Sequence, residues 1–140
     1  MTGAAMNYVA AYVSALVVFI VADFAWLTTM VPRFYRPALG DLLMPGVSWA
    51  PAAVFYLMYP VGLVVFAIGP ALKNGSVLTA AATGALFGLF TYGTYNLTNQ
   101  ATLRNWPSLL SVVDTTWGSI LGAITATVAY LIVARLIAQP

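Results

Sequence analysis

Long apolar stretches alternate with short polar breaks along the chain, and this pattern predicts four membrane-spanning helices. Each stretch exceeds the roughly 20 residues that a helix needs to cross a bilayer. The stretches run from about Met6 to Met30, Trp49 to Leu72, Ser76 to Gln100 and Pro107 to Ala138. Because a helix satisfies its own backbone hydrogen bonds in lipid, the pattern predicts an all-α membrane protein, with a single transmembrane domain over residues 1–140.

The connections between these stretches indicate how the helices are arranged. The second connection is a tight turn at Lys73-Asn74-Gly75, and the third, around 102–106, is also short. Short connections make consecutive helices antiparallel neighbours, so we expect an up-down four-helix bundle. The first stretch lacks a preceding basic segment and a clear small-residue cleavage site, so we interpret it as a retained helix rather than a signal peptide.

The first connection is the longest, from about residue 31 to residue 48. Within it, Pro37 could begin a short helix that carries Leu39, Leu42 and Leu43 toward the membrane. A plain linker lying on the lipid headgroups fits the sequence equally well.

Small residues at four-residue spacing mark two helix faces that can approach a neighbour closely. They are Ala80, Gly84 and Gly88 in the third span, and Gly118, Gly122 and Ala126 in the fourth. In lipid, close backbone packing at small residues replaces much of the hydrophobic drive. The spacing leaves open whether the contact forms within one chain or in a homodimer. In the second span, Pro60 is expected to kink the helix or to free a carbonyl.

Composition narrows the classes of function. Hydrophobic residues make up 62% of the chain and charged residues 6%, which excludes a soluble domain and makes the lipid bilayer the first partner. Five basic and three acidic residues are too few and too scattered for a nucleic-acid interface. The chain contains no Cys and no His, so we predict no metal site and no cofactor. The basic residues are divided almost evenly between the two sides, so they do not assign an orientation.

Nearly all of the strong polarity collects at one end of the predicted bundle. With antiparallel crossings, the end of the first span, the end of the third and the start of the fourth lie on the same side. Tyr92, Asn96 and Asn99 form one helical stripe there, at i, i+4 and i+7. The candidate ligand-binding residues are Asp23, Trp26, Tyr35, Arg36, Tyr92, Asn96, Asn99, Arg104, Asp114 and Trp117.

Two aspartates stand out because a carboxylate inside a membrane is costly, at roughly 2.5 kcal/mol or more, and marks a functional site by default. Asp23 is followed at i+3 by Trp26, and Asp114 by Trp117, so each pair shares a helix face. The two pairs could line one pocket from opposite sides. Two plainer interpretations remain: a network with arginine, tyrosine or asparagine that holds the bundle in register, or residues solvated at the interface.

The same residues give the chain a resemblance to a family of small predicted bacterial membrane proteins of unknown function. The matching stretches are Asp23–Leu27 with Phe34–Arg36, Pro51 with Phe55–Leu57 and Gly62, Thr94–Asn99 through Ala101–Leu103 to Trp106-Pro107, and Val113–Gly118. The resemblance covers nearly the whole chain and implies a four-span membrane protein, with no settled activity. The family pattern often has Asp where this chain has Asn96, so it implies no acid–base role for that residue here.

Three functions are compatible with this sequence. The first is the binding or transport of a small amphipathic or lipid-like molecule, with a basic head at Asp23 or Asp114, or an anionic head at Arg33, Arg36 or Arg104. The second is a lipid-modifying enzyme that divides acid and base roles between the two aspartates. The third is an accessory subunit of a membrane complex. We favour binding, in a multi-pass protein of the bacterial inner membrane, and leave open whether the protein is an enzyme.

Overall fold

The computed structural model describes residues 3–138, and in this range the chain is helical with no β-strand. Four helical segments are long and apolar enough to cross a membrane, which confirms the predicted all-α architecture. We call them the first to fourth spans: Gly3–Leu42, Trp49–Asn74, Val77–Thr102 and Ser108–Ala138. Consecutive spans are joined by short connections and run in alternating directions.

The first span is longer than the sequence pattern predicted. Its α-helix, Gly3–Met30, continues through a π-helical turn, Val31–Tyr35, a short α-helix, Arg36–Leu39, and a 3-10 turn, Gly40–Leu42. Pro32 and Pro37 each stand in the first two positions of a new segment, and each lacks the backbone N–H that a uniform α-helix would use there. The helix therefore changes type at its prolines without ending. Only residues 43–48 remain as a connection.

The second span is also composite. Its first part, Trp49–Leu63, contains Pro60 and is followed by a π-helical turn, Val64–Ile68, and a last segment, Gly69–Asn74. Near the proline, the carbonyl of Leu57 accepts a hydrogen bond of 3.0 Å from the Tyr12 hydroxyl of the first span. Pro60 offers no N–H to the carbonyl of Tyr56, and the bond from Tyr12 reaches the next carbonyl of the same turn.

The third and fourth spans meet along the predicted stripes of small residues. A Cβ atom added to Gly84 would collide with the carbonyl of Gly122, and one added to Gly88 would collide with the carbonyl of Gly118. Backbones that approach this closely leave no room for a side chain. These two stripes therefore face each other within a single chain.

The four spans form a closed ring, because the first packs against the fourth as well as against the second. At the end bearing the second connection, the ring is filled by an apolar core that includes Phe19, Leu63, Ile68, Leu121 and Val133, none of them exposed. At the opposite end the helices surround a cavity. This end is the polar end predicted from the sequence.

Candidate functional site

A cavity of about 620 Å³ lies among the four spans at the polar end. Two carboxylates, those of Asp23 and Asp114, are part of its lining. Most of the remaining wall is aromatic, and the rings come from all four spans and the third connection. They belong to Trp26, Tyr35, Phe55, Tyr56, Tyr59, Tyr92, Tyr95, Trp106 and Trp117.

Asp23 joins the first span to two others. Its side chain is buried, with 5% of its surface exposed. One carboxylate oxygen accepts a short hydrogen bond from the hydroxyl of Tyr56 in the second span. The other accepts a bond of 3.2 Å from the indole N–H of Trp117 in the fourth span. Both oxygens are therefore satisfied by neutral donors, which lowers the cost of burying the carboxylate in the membrane.

Asp114 has a matching environment. Its Oδ1 accepts a hydrogen bond of 2.5 Å from the Tyr35 hydroxyl, and its Oδ2 accepts one of 2.6 Å from Nδ2 of Asn96. The same Nδ2 donates to the backbone carbonyl of Tyr92 at 2.9 Å, so the amide protons of Asn96 face acceptors. Its Oδ1 is fully buried and finds no partner among residues 3–138. Asn96 thus acts as a donor that fixes the Asp114 carboxylate.

The two tryptophans connect the carboxylates to each other. The indole rings of Trp26 and Trp117 stack with their centroids 4.4 Å apart and their planes 2° from parallel. The indole N–H of Trp26 donates to the Tyr35 hydroxyl at 3.0 Å, and Tyr35 in turn donates to Asp114. Trp117 therefore donates directly to the aspartate of the first span. Trp26 is linked through Tyr35 to the aspartate of the fourth span. The hydrogen bonds and the stacked rings form one network across the cavity wall.

The structure brings together most of the ten residues predicted for the site. Six of them line the cavity: Asp23, Trp26, Tyr35, Tyr92, Asp114 and Trp117. Asn96 is buried and contacts the Asp114 carboxylate without lining the cavity, and Asn99 is half-buried and also lies outside the lining. Arg36 and Arg104 are exposed and lie outside the lining.

The arginines do not partner the aspartates. Arg33, Arg36 and Arg104 are all exposed, whereas the carboxylate oxygens bond to tyrosine, tryptophan and asparagine. An arginine near the end of a membrane helix gains more by reaching the hydrated headgroups than by entering the bundle. The network around the two aspartates is therefore built from neutral donors and not from arginine.

Sequence reasoning missed several residues of the second span. Tyr56 binds Asp23, and Phe55 and Tyr59 form part of the cavity wall. The second span carries no charge in its first half, so nothing there marked it as part of a polar site. One signal was present: this half begins at the polar end, and its tyrosines at positions 56 and 59 lie at i and i+3, on one face.

These features define a multi-pass helical membrane protein with an acidic, aromatic cavity inside the bundle. The chain belongs to a family described as predicted membrane protein (DUF2177), whose model matches residues 8–131. The matched range includes every residue of the network around Asp23 and Asp114. No curated protein and no solved structure matches the chain. Membership establishes a membrane protein and assigns no activity.

Proposed function

We propose that this protein binds a small amphipathic or lipid-like molecule, whose polar head occupies the cavity beside Asp23 and Asp114. One observation carries the proposal: a single cavity inside a membrane bundle is lined by two buried carboxylates and by aromatic rings from every span. Ionisable groups inside a membrane are rare and usually face a functional cavity. We place the protein in a bacterial inner membrane, since the chain resembles small bacterial membrane proteins.

The size and chemistry of the cavity suit a small organic ligand. Its volume of about 620 Å³ falls in the range of ~300–1,000 Å³ that is typical of ligand sites. Such sites combine a mainly apolar wall with a few polar groups that fix the ligand's orientation. Here the apolar wall includes Leu27, Leu39 and Leu110, and the polar groups are the carboxylates and hydroxyls.

The charges around the cavity favour a cationic head or one rich in hydrogen-bond donors. The lining contains two aspartates and no lysine or arginine. An anionic head in the cavity would meet like charges. The arginines that could bind such a head lie outside the cavity. An ammonium group would instead find carboxylates within reach and the faces of tryptophan and tyrosine, which attract cations. Of the two head groups considered at first, the cationic one is therefore preferred.

The test is mass spectrometry of small molecules that copurify with the detergent-extracted protein. We would compare the wild type with Asp114→Asn, which keeps the shape of the side chain but removes its charge. Asp41→Asn is the matched control, because Asp41 is exposed and lies outside the cavity. We expect a discrete cationic amphipath in the wild type and in Asp41→Asn, and its loss from Asp114→Asn.

The result is interpreted only for variants that remain folded by circular dichroism and size-exclusion chromatography. Tyr56→Phe provides a second route if Asp114→Asn does not fold, because it removes a donor to Asp23 and leaves Asp114 untouched. Bulk lipid, identical in all folded variants, would contradict the proposal and would favour a scaffold or an accessory subunit. A transport path would need a homodimer to complete it. The mass of the protein particle in the same preparation shows whether a homodimer forms.

A further inference from the structure

A second depression lies on the outer face of the bundle, between the second and third spans. This groove has a volume of about 530 Å³ and is lined by Phe66, Phe87, Phe90, Thr91 and Thr94. Phe66 and Phe90 are more than 60% exposed, on a surface that faces the lipid in a membrane. The rings of Phe66 and Phe87 stack with a centroid distance of 5.9 Å and form an apolar wall.

The two threonines do not make the groove polar. The hydroxyl of Thr91 donates to the carbonyl of Phe87 at 2.8 Å, and that of Thr94 donates to the carbonyl of Phe90 at 2.6 Å. Each hydroxyl proton is therefore used inside the helix, and the methyl groups complete an apolar surface. The groove contains no charged side chain.

Thr91 lines both the groove and the acidic cavity, so the two spaces adjoin at this residue. The Tyr59 hydroxyl lies 3.2 Å from the Thr91 hydroxyl oxygen. Because Thr91 already donates its proton to Phe87, Tyr59 is the donor in this contact. Tyr59, which lines the cavity, thus contacts Thr91, which lines both spaces.

Side chains, rather than packed backbone, separate the two spaces. The second span packs against the third mainly through Val64–Ile68 and Gly69–Asn74, and its first part, Trp49–Leu63, packs against the first span. At the level of the cavity the second and third spans therefore lie apart, bridged by rings and hydroxyls. Rotation of such side chains takes far less time than the separation of packed helices.

We propose that the groove holds the alkyl chain of an amphipath whose head occupies the cavity, and that this molecule enters from the bilayer between the second and third spans. The inference rests on the proposed function. The groove has the apolar surface and the lipid-facing position that an alkyl chain requires, and it adjoins the site for the head at Thr91. The contact between Tyr59 and Thr91 opens to admit the molecule and stays open while the molecule is bound.

The experiment uses decyltrimethylammonium with a photoactivatable diazirine at the end of its chain, added to the protein in phospholipid nanodiscs. After irradiation, peptide mass spectrometry locates the adducts. We expect saturable adducts on Phe87, Phe90 and Thr94, which unlabelled decyltrimethylammonium removes and Asp114→Asn abolishes. A decyl alcohol with the same diazirine has no cationic head, and it should label lipid-facing residues without saturation.

A pair of variants tests the groove itself. Thr94→Phe fills it, whereas Thr98→Phe adds the same ring one turn further along the helix, at an exposed threonine outside the groove. Both threonines donate to the carbonyl four residues earlier, so both substitutions remove the same kind of bond. We expect Thr94→Phe to lower the saturable yield about tenfold, because a filled site excludes the chain. Thr98→Phe should keep the wild-type yield.

The outcomes separate this inference from the proposed function. Binding of the head alone is measured by equilibrium dialysis with radiolabelled tetramethylammonium. Suppose that tetramethylammonium binds and that its binding depends on Asp114. If the adducts then fall outside the groove, or their yield is unchanged by Thr94→Phe, the alkyl chain lies elsewhere and the inference is wrong. If tetramethylammonium does not bind and no saturable adduct forms, the proposed function fails. Crosslinks between two chains at the groove, formed without ligand, would show that a second copy covers it. That result would also overturn the inference.

Discussion

Trp26 and Trp117 lie face to face in the bundle, with ring centroids 4.4 Å apart and planes 2° from parallel. The stack joins the first span to the fourth at the level of the two buried aspartates. Because the N–H of Trp117 reaches Asp23 and the hydroxyl of Tyr35 reaches Asp114, sliding one span past the other would break the stack and both hydrogen bonds. The pair therefore fixes the register of the two spans.

Replacing Trp117 by phenylalanine should destabilise the protein through loss of a hydrogen bond. The phenyl ring can still pack on Trp26, but Asp23 loses its indole donor. We expect a loss of about 1–2 kcal/mol, in the range of polar contacts between membrane helices. Trp49→Phe is the control, because Trp49 is 72% exposed. Equal unfolding midpoints for the two variants in SDS titrations would show that the bond contributes nothing.

Tyr35 and Asp114 should be energetically coupled. The Tyr35 hydroxyl donates to Asp114 at 2.5 Å and accepts from Trp26, so Tyr35→Phe removes the donor and Asp114→Ala removes the acceptor of the same bond. A double-mutant cycle on unfolding should give a coupling of roughly 0.5–2 kcal/mol. Tyr35→Phe combined with Tyr12→Phe should be additive, because Tyr12 bonds to the Leu57 carbonyl instead. Additivity in both cycles would rule out the network.

The sequence predicts the four spans, the polar end and the aspartate–tryptophan faces, because these follow from hydrophobic length and helical spacing. It does not predict that Trp117 binds Asp23 rather than Asp114, which lies three residues away on the same helix. That choice depends on the rotation of two helices about their axes. The glycine stripes fix the rotation of the fourth span against the third, but spacing along one segment does not give the rotation of the first span.

The pattern of hydrophobic and polar residues did not predict two other features, for different reasons. The first span continues to Leu42 because its prolines start new helical turns, although proline in a sequence usually indicates a break. Tyr56 was overlooked because a tyrosine in an apolar helix is as typical of a membrane interface as of a buried site. Only the position of Asp23 on the neighbouring helix distinguishes the two.

Removing the hydroxyl of Thr125 should stabilise the protein. Thr125 is fully buried in the fourth span, and its hydroxyl oxygen has no hydrogen-bond partner in the described part of the chain. Thr125→Val keeps the shape and removes an unsatisfied polar group, for an expected gain of about 1 kcal/mol. Thr83→Val serves as the control, because the Thr83 hydroxyl donates to the Thr79 carbonyl and its removal brings no such gain. A lower unfolding midpoint for Thr125→Val than for Thr83→Val would contradict this prediction.

The seam between the third and fourth spans allows a comparison of two buried glycines on one helix. A Cβ on Gly88 would overlap the backbone of Gly118 and lie 3.0 Å from the backbone nitrogen of Ser119, and backbone atoms cannot yield as a side chain can. A Cβ on Gly93 would lie 3.6 Å from a methyl group of Thr115, which is an ordinary contact.

Gly88→Ala should therefore force the two spans apart and cost about 1–3 kcal/mol or more, as overpacking does in other tightly packed sites. Gly93→Ala should be neutral or stabilising by up to ~1 kcal/mol, because alanine has the higher helix propensity. Unfolding in SDS, followed by circular dichroism, compares the two variants. If Gly88→Ala is as stable as Gly93→Ala, the close contact of the stripes does not hold the third and fourth spans together. The rotation that brings Asp114 to the cavity would then have another origin.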